Sequence, residues 1–175
     1  MFTDTTRSLV IGSGLAGLYF ALQAADDGPV TIITKAAPDD GSTAIAQGGV
    51  AAVLSGDDSL DSHVLDTLTV GVGPCRADIV RMTIEAGAEH VHRLIALGVA
   101  FERGDDGGLE LAREGGHSER RVAHVGDLTG RAIHDALLAR VSSHPNVTIR
   151  TEAVAVDLLT ARRGGEGGAC FGAYV

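Results

Sequence analysis

The chain has 175 residues, 45% of them hydrophobic, and a formal net charge of −9. That length supports one domain with a real core, while the acidic balance excludes a nucleic-acid binder, which needs a basic face. Aromatics are only 3% and the 24 glycines cluster without repeating, so the core rests on Ala, Val, Leu and Ile and the glycines mark specific turns.

Residues 8–11 are a short apolar run that ends in "GSGLAG". Leu15, Leu18, Leu22 and Ala25 then recur at helical spacing, "DDG" stops the helix, and "PVTIIT" reads as a second buried strand. This is a β-α-β unit of the size a parallel crossover needs. Residues 36–53, rich in small residues and glycine, read as a long functional loop. "DSLDSHVLDTLTVG" predicts a helix with an Asp/Ser cap, and residues 77–97 a longer one with Val80, Ile84, Ala88, Val91 and Ile95 on its stripe and Gly98 as its stop. "ERGDDGGLE" is a polar turn. A helix is expected from about Thr129 to Val141, burying Ile133, Leu137 and Val141, and "HPN" breaks it. "VTIRT" is expected as a third strand of the first sheet and "AVAVDLL" as a fourth strand or a hairpin arm. Residues 161–168 then form a turn, and "ACFGAYV" begins a further strand without a partner.

No stretch approaches the roughly 20 apolar residues of a membrane span, and no signal peptide is expected from the N-terminus. Cys75 and Cys170 lie far apart with no CxxC pattern, which suggests a reducing, cytoplasmic compartment. No metal is expected either: His90 and His92 are two apart on a helix and face different ways. A Ser-His-Asp hydrolase is unsupported without a GxSxG elbow.

Three stretches carry chemistry. Gly12, Gly14 and Gly17 form G-x-G-x-x-G between a strand and a helix, a dinucleotide-binding fingerprint. The first permits a tight turn, the second lets a pyrophosphate approach, the third lets helix and strand pack closely, and the helix N-terminus supplies amides and a positive dipole end. The second strand ends at Lys35 where an acid would take ribose hydroxyls. A lysine suits a 2′-phosphate, a ribose or a solvated strand end. "STAIAQGGVAAV" sets hydroxyls, a Gln and paired glycines where backbone amides suit an anion or a flavin edge. "REGGHSERRVAH" offers Arg113, Glu114, His117, Arg120, Arg121 and His124, whose arginines suit a dicarboxylate. A solvated charged loop is its rival reading.

Taken in order, "GSGLAGLYFAL", "STAIAQGGVAAV", "DSHVLDTL" and "REGGHSERRVAHVGDLTG" resemble the L-aspartate oxidase family of the succinate dehydrogenase and fumarate reductase flavoprotein superfamily, over essentially the whole chain. The resemblance implies an α/β fold: a Rossmann-like FAD-binding domain with a parallel sheet, a crossover helix, a helical insertion and the start of a β-meander. It implies oxidation of L-aspartate to iminoaspartate, with FAD passing electrons to oxygen or fumarate and quinolinate synthase using the product in NAD biosynthesis. It assigns Gly12, Ser13, Gly14, Leu15, Ala16 and Gly17 to the FAD diphosphate and Lys35 to the adenosine ribose. Ser42, Thr43, Ala44, Ile45, Ala46, Gln47, Gly48 and Gly49 would wrap the diphosphate and flavin, and Val154 and Ala155 would touch the adenine side.

Relatives with covalent FAD carry a histidine where this chain has Ser42, so noncovalent FAD is expected. They carry a neutral residue where this chain has Glu114. Aspartate differs from succinate by an ammonium group, which a carboxylate recognises most simply, and leaving it unpaired carries a large penalty. Glu114 is therefore expected to orient the substrate, with His117 and Ser118 as further pocket residues. Family members are several times longer, so residues 1–175 are expected to be the N-terminal part of the FAD-binding domain, incomplete at its C-terminus and inactive alone. The capping domain, the helical domain and the acid–base arginine would then lie beyond Val175. A soluble fumarate reductase-type flavoprotein and a non-catalytic nucleotide-binding module are the alternatives.

Overall fold

A computed structural model describes residues 4–161 and 168–175 of the chain. In chain order its elements are strand β1 (Ser8–Ile11), helix α1 (Leu15–Ala24), strand β2 (Val30–Ile33), helix α2 (Ser42–Ile45), strand β3 (Val50–Ala51), helices α3 (Leu60–Gly71) and α4 (Ala77–Leu97), strands β4 (Leu111–Ala112) and β5 (Val122–Ala123), helix α5 (Thr129–Ser142), and strands β6 (Val147–Arg150), β7 (Asp157–Thr160) and β8 (Cys170–Tyr174). They fall into two compact units: residues up to Ala44 together with His134–Val175, and Ile45–Ile133.

The first unit is built on a parallel sheet in the order β1-β2-β6, with Val10 opposite Ile32 and Ile32 opposite Ile149. The middle strand has no polar face to show to water, and Val30, Ile32 and Ile33 are all buried. Helix α1 is the crossover. It buries Leu18, Ala21 and Ala25, whereas Leu22, expected on that stripe, is only half-buried. Small residues let the helix lie close to the sheet, so its contact face follows the alanines and Gly17 and turns away from the larger Leu22. Leu137 and Val141 of α5 are buried as expected. The "HPN" break has a second use: Asn146 Nδ2 donates to Ala25 O at 2.9 Å and the Asn146 main-chain carbonyl accepts from Val30 N at 2.8 Å, so one residue ends α1 and starts β2.

The "AVAVDLL" segment is not a fourth strand of this sheet; its end is the hairpin arm that was the other expectation. Glu152 takes a left-handed backbone (φ 54) that turns the chain after β6, and pairing resumes only at β7, antiparallel to β8. Strand β8 therefore has the partner that the sequence reading denied it. The turn expected over 161–168 lies, apart from its two end residues, outside the described residues.

In the second unit, α3 begins as expected: Ser59 Oγ accepts from Ser62 N at 3.1 Å, with Asp61 in the first turn. Gly98 ends α4, its N–H reaching Ile95 O and Leu94 O. The buried stripe of α4 is Ile84, Val91 and Leu94, with Ala88 and Ile95 only half-buried. The reason is Gly87. A Cβ there would sit 3.3 Å from Ala52 Cβ, so the close face runs 84–87–91–94, through a glycine that no apolar template counts. The expected long loop over 36–53 in fact holds α2 and β3. Strand β3 joins the antiparallel sheet β3-β5-β4 because Gly49 lets the backbone come within 2.4 Å of Ala123 O, measured from an added Cβ. Among the described residues no helix is long and apolar enough to cross a membrane.

Candidate functional site

The fingerprint turn sits at the C-terminal end of β1 in the first unit. Gly12 has φ +107, which an L side chain resists, and its N–H donates to Ile33 O at 2.8 Å. A Cβ on Gly17 would lie 2.2 Å from Gly12 O, so only glycine permits this helix–strand approach. Gly14 caps α1 with no side-chain hydrogen bond, and the first turn holds no acid. A Cβ on Gly12 would meet nothing within 4 Å, and Gly14 and Ala16 are exposed. An open turn with helix N-terminal amides behind it fits a dinucleotide diphosphate.

Two of the predicted stretches meet here. The Leu15 N–H donates to Thr43 Oγ1 at 3.2 Å, so the hydroxyl of "STAIAQGG" rests on the first turn of α1. Ser13, assigned to the diphosphate, is buried; its Oγ donates to Pro38 O at 2.8 Å and is hydrogen-bonded to Thr34 Oγ1 at 3.1 Å. What Ser13 offers outward is therefore backbone. Lys35 is exposed just past β2. Val154 and Ala155 lie between two anchors, Ala153 N to Thr34 O at 3.0 Å and Val156 N to Tyr174 O at 2.8 Å, so they run beside the strand end that carries Lys35.

His134 escaped the sequence reading. It is buried on α5, with Nε2 3.0 Å from Ser13 O and 3.1 Å from Pro38 O. Carbonyls only accept, so Nε2 carries a proton, while the buried Nδ1 lies 3.8 Å from Asp135 Oδ1. One imidazole thereby holds the fingerprint turn and the loop after β2 together. A single histidine in an amphipathic helix gives no signal of this in the sequence.

In the second unit, residues 113–121 form the loop of the β4–β5 hairpin, where Ala112 pairs with Val122. The arginines were expected to face a dicarboxylate. Arg121 does not: it is fully buried and its fork serves the chain's own carboxylates. Nε and Nη2 donate to Asp58 at 2.8 and 2.7 Å, and Nη1 donates to Asp66 Oδ2 at 2.7 Å. Ser118 donates to the same Asp66 oxygen through N (2.7 Å) and Oγ (2.8 Å). Arg120 reaches Leu111 O and Arg113 reaches Ser118 O, both at longer distances. His117 is half-buried and meets His63 edge to face at 5.6 Å. Glu114 is exposed, its Oε2 4.0 Å from where a Cβ on Gly48 would lie, so the hairpin loop brings it against the glycine pair. Ile45, Ala46 and Gln47 are exposed beside it in sequence, and Ala46 O accepts from Gly130 N at 3.0 Å. Asp58, Ser62 and Asp66 are spaced by four on one face of a predicted helix. That polar spacing is a signal the sequence itself carries.

Burial lowers the His63 pKa, aided by the Arg121 guanidinium and by His117 and opposed by Asp58 and Asp66. The unfolded chain therefore takes a proton near pH 6.5 that the folded chain refuses. This contribution to stability is whole above that pH and is lost as pH falls below it. Asp66 is shifted downward by the Ser118 N–H first, then by the Ser118 hydroxyl and Arg121, against desolvation. Its contribution stands above the ordinary carboxylate range and is lost only as pH falls through the lowered value. The urea midpoint should fall between pH 7 and 5, and His63→Leu should flatten that part of the curve. An unchanged slope in the variant would remove His63 from the account.

Residues 7–175 match the family described as FAD binding domain. The chain is 49% identical over 157 residues to "L-aspartate oxidase 2-b, chloroplastic" of Nicotiana tabacum, covering 90% of this chain and 24% of that one. It is 47% identical over 175 residues to an L-aspartate oxidase of Pseudomonas aeruginosa, covering 95% and 32%. Among solved structures, an E. coli quinol fumarate reductase FrdA variant aligns with TM-score 0.88 at 28% identity, covering 92% of this chain and 28% of that one. The chain thus spans between 24% and 32% of the length of these curated relatives.

Proposed function

The chain belongs to the FAD binding domain family, and on that premise we propose that it is the N-terminal part of the FAD-binding domain of an enzyme that oxidises L-aspartate to iminoaspartate. FAD, when bound, would supply the two-electron oxidising power that the conversion of an amine to an imine requires. The residues of this chain bind and orient. Gly12, Gly14, Leu15, Ala16 and Gly17 hold the diphosphate through backbone amides at the N-terminus of α1, with Ser13 shaping the turn. Thr43 steadies that turn, and Ser42, Ala44, Ile45, Ala46, Gln47, Gly48 and Gly49 continue around the diphosphate and flavin. Lys35, Val154 and Ala155 serve the adenosine end. The FAD is noncovalent, because Ser42 stands where a covalent linkage in related flavoproteins uses an imidazole.

The observation that carries the substrate reading is the Glu114 carboxylate set against Gly48 at the mouth of an exposed hairpin loop. A carboxylate there pairs with the ammonium of aspartate, which fumarate lacks. His117 lies on the same loop as a further pocket residue, with Ser118 beside it. We assign the acid–base role to none of the residues named here. Electrons go on to oxygen or fumarate, and the likeness to a fumarate reductase supports the second acceptor. The product feeds quinolinate synthase in NAD biosynthesis. Two free cysteines suit a reducing compartment such as the cytoplasm, although the tobacco relative is named as chloroplastic. A fumarate reductase proper is the second reading, favoured by the same structural likeness.

In the flavoenzyme carrying this chain, Glu114→Gln should lower kcat/KM for L-aspartate by about 10- to 100-fold, the worth of a charge-assisted hydrogen bond. Fumarate reduction should change much less. Equal losses for both substrates would end the ammonium role and favour the fumarate reductase reading.

A further inference from the structure

Residues 116–121 lie along one face of α3, running in the opposite direction. A Cβ on Gly116 (φ +87) would sit 2.8 Å from Val70 Cγ2, His117 meets His63 edge to face, Ser118 reaches Asp66 and Ser62, and Arg121 reaches Asp58 just before the helix. A hairpin loop with exposed ends usually owes its shape to its own turn. This one is fastened to a helix remote from it in sequence, and the fastening converges on one atom. Asp66 Oδ2 accepts from Ser118 N, Ser118 Oγ and Arg121 Nη1.

The fastening leads to Glu114. Glu114 O accepts from His117 N at 3.2 Å, closing a turn over 114–117. The residue after that turn is Ser118, held by two hydrogen bonds to Asp66. The Glu114 carboxylate is thus one turn away from a charged anchor on α3.

We propose that Asp66 and Ser118 form a latch that fixes the 113–121 loop on α3 and so positions Glu114. They are positioning residues: Ser118 spends its hydroxyl on Asp66, and both act through Glu114. The proposal rests on the aspartate reading given above and deepens it, since it names what sets substrate preference beyond the carboxylate itself.

The test uses three variants of the FAD-loaded enzyme. Ser118→Ala removes the hydroxyl, Ser118→Thr keeps one, and Glu114→Gln is the reference for the reading itself. Two quantities are read: KM for L-aspartate against KM for fumarate, and hydrogen exchange at the amides of 113–121. Ser118→Ala should raise the aspartate KM about tenfold, the scale of one charge-assisted hydrogen bond, with the fumarate KM within about twofold. Loop exchange should quicken, and Ser118→Thr should restore both. If the two KM values move together, or Ser118→Thr rescues nothing, the latch has no positioning role. If Glu114→Gln proves selective while loop exchange in Ser118→Ala stays at the wild-type rate, the latch falls and the aspartate reading stands. If Glu114→Gln is not selective, that reading falls and takes the proposal with it.

Discussion

Arg121→Met should destabilise the protein by about 3–5 kcal/mol, the usual cost of removing one partner from a buried ion pair. Arg121 and the Asp58 side chain are both fully buried, and Asp66 is 16% exposed. Without the guanidinium, Asp58 keeps a charge that no water reaches. Its Oδ1 keeps the Ser59 N–H at 2.8 Å, but Oδ2 loses the Arg121 Nε donor. The loss comes from the orphaned carboxylate more than from the pair's own worth, so Arg121→Met combined with Asp58→Leu should recover much of it. Arg121→Lys should also fail, because an ammonium cannot fork across both Asp58 oxygens while reaching Asp66. The exposed pairs Arg76–Asp78, Arg81–Asp61 and Arg93–Glu89 provide the contrast; water screens them, so removing any of them should move the urea midpoint far less. Urea unfolding at neutral pH measures all of these. A loss for Arg121→Met no larger than for the exposed pairs would mean that Asp58 finds solvent or a new partner.

Arg121 also shows where sequence reading stops. The order of the elements was legible because strand and helix signals are local: β1, α1, β2, α4 and α5 fall where their apolar spacing put them, and α3 where its Asp/Ser cap did. The fingerprint was legible because Gly12, Gly14 and Gly17 answer steric demands that no other residue meets. The destination of a charged side chain is not local. Three arginines in one loop look alike, yet Arg121 turns inward to residues more than fifty positions away while Arg113 and Arg120 stay exposed. The small residues misled in the opposite way. Hydrophobic templates follow Leu22 and Ile95, but the close-packed faces of α1 and α4 run through Gly17, Ala21 and Gly87, where the absence of a side chain makes the contact. His134 illustrates a third limit: its value lies in two carbonyls brought to it by other elements, and no residue near it in sequence points to them.

Gly17→Ala should abolish useful FAD binding while leaving a folded chain. The added Cβ would lie 2.2 Å from Gly12 O and 3.2 Å from Val10 Cγ1. Both neighbours are fixed, one as backbone of the fingerprint turn and the other in the middle of β1, so α1 must move. Overpacking of this kind costs about 1–3 kcal/mol, which a domain of this size survives. The site does not survive it, because three things depend on the seating of α1. Its amides would no longer point to one place, Leu15 N would part from Thr43 Oγ1, and Ser13 O would shift from His134 Nε2. A diphosphate bound by oriented amides loses affinity with each one misdirected, and a loss of two charge-assisted hydrogen bonds is worth at least about 100-fold. Gly14→Ala is the control within the same turn. Its Cβ would meet Thr43 Oγ1 at 3.4 Å, an ordinary contact, so α1 stays seated and only the approach of the pyrophosphate is hindered. Flavin absorbance retained after gel filtration, read beside the melting temperature, separates the two variants. Gly17→Ala should lose flavin and some stability together, Gly14→Ala flavin alone. If Gly17→Ala keeps its flavin, the tight seating of α1 against β1 is not what forms the cofactor site.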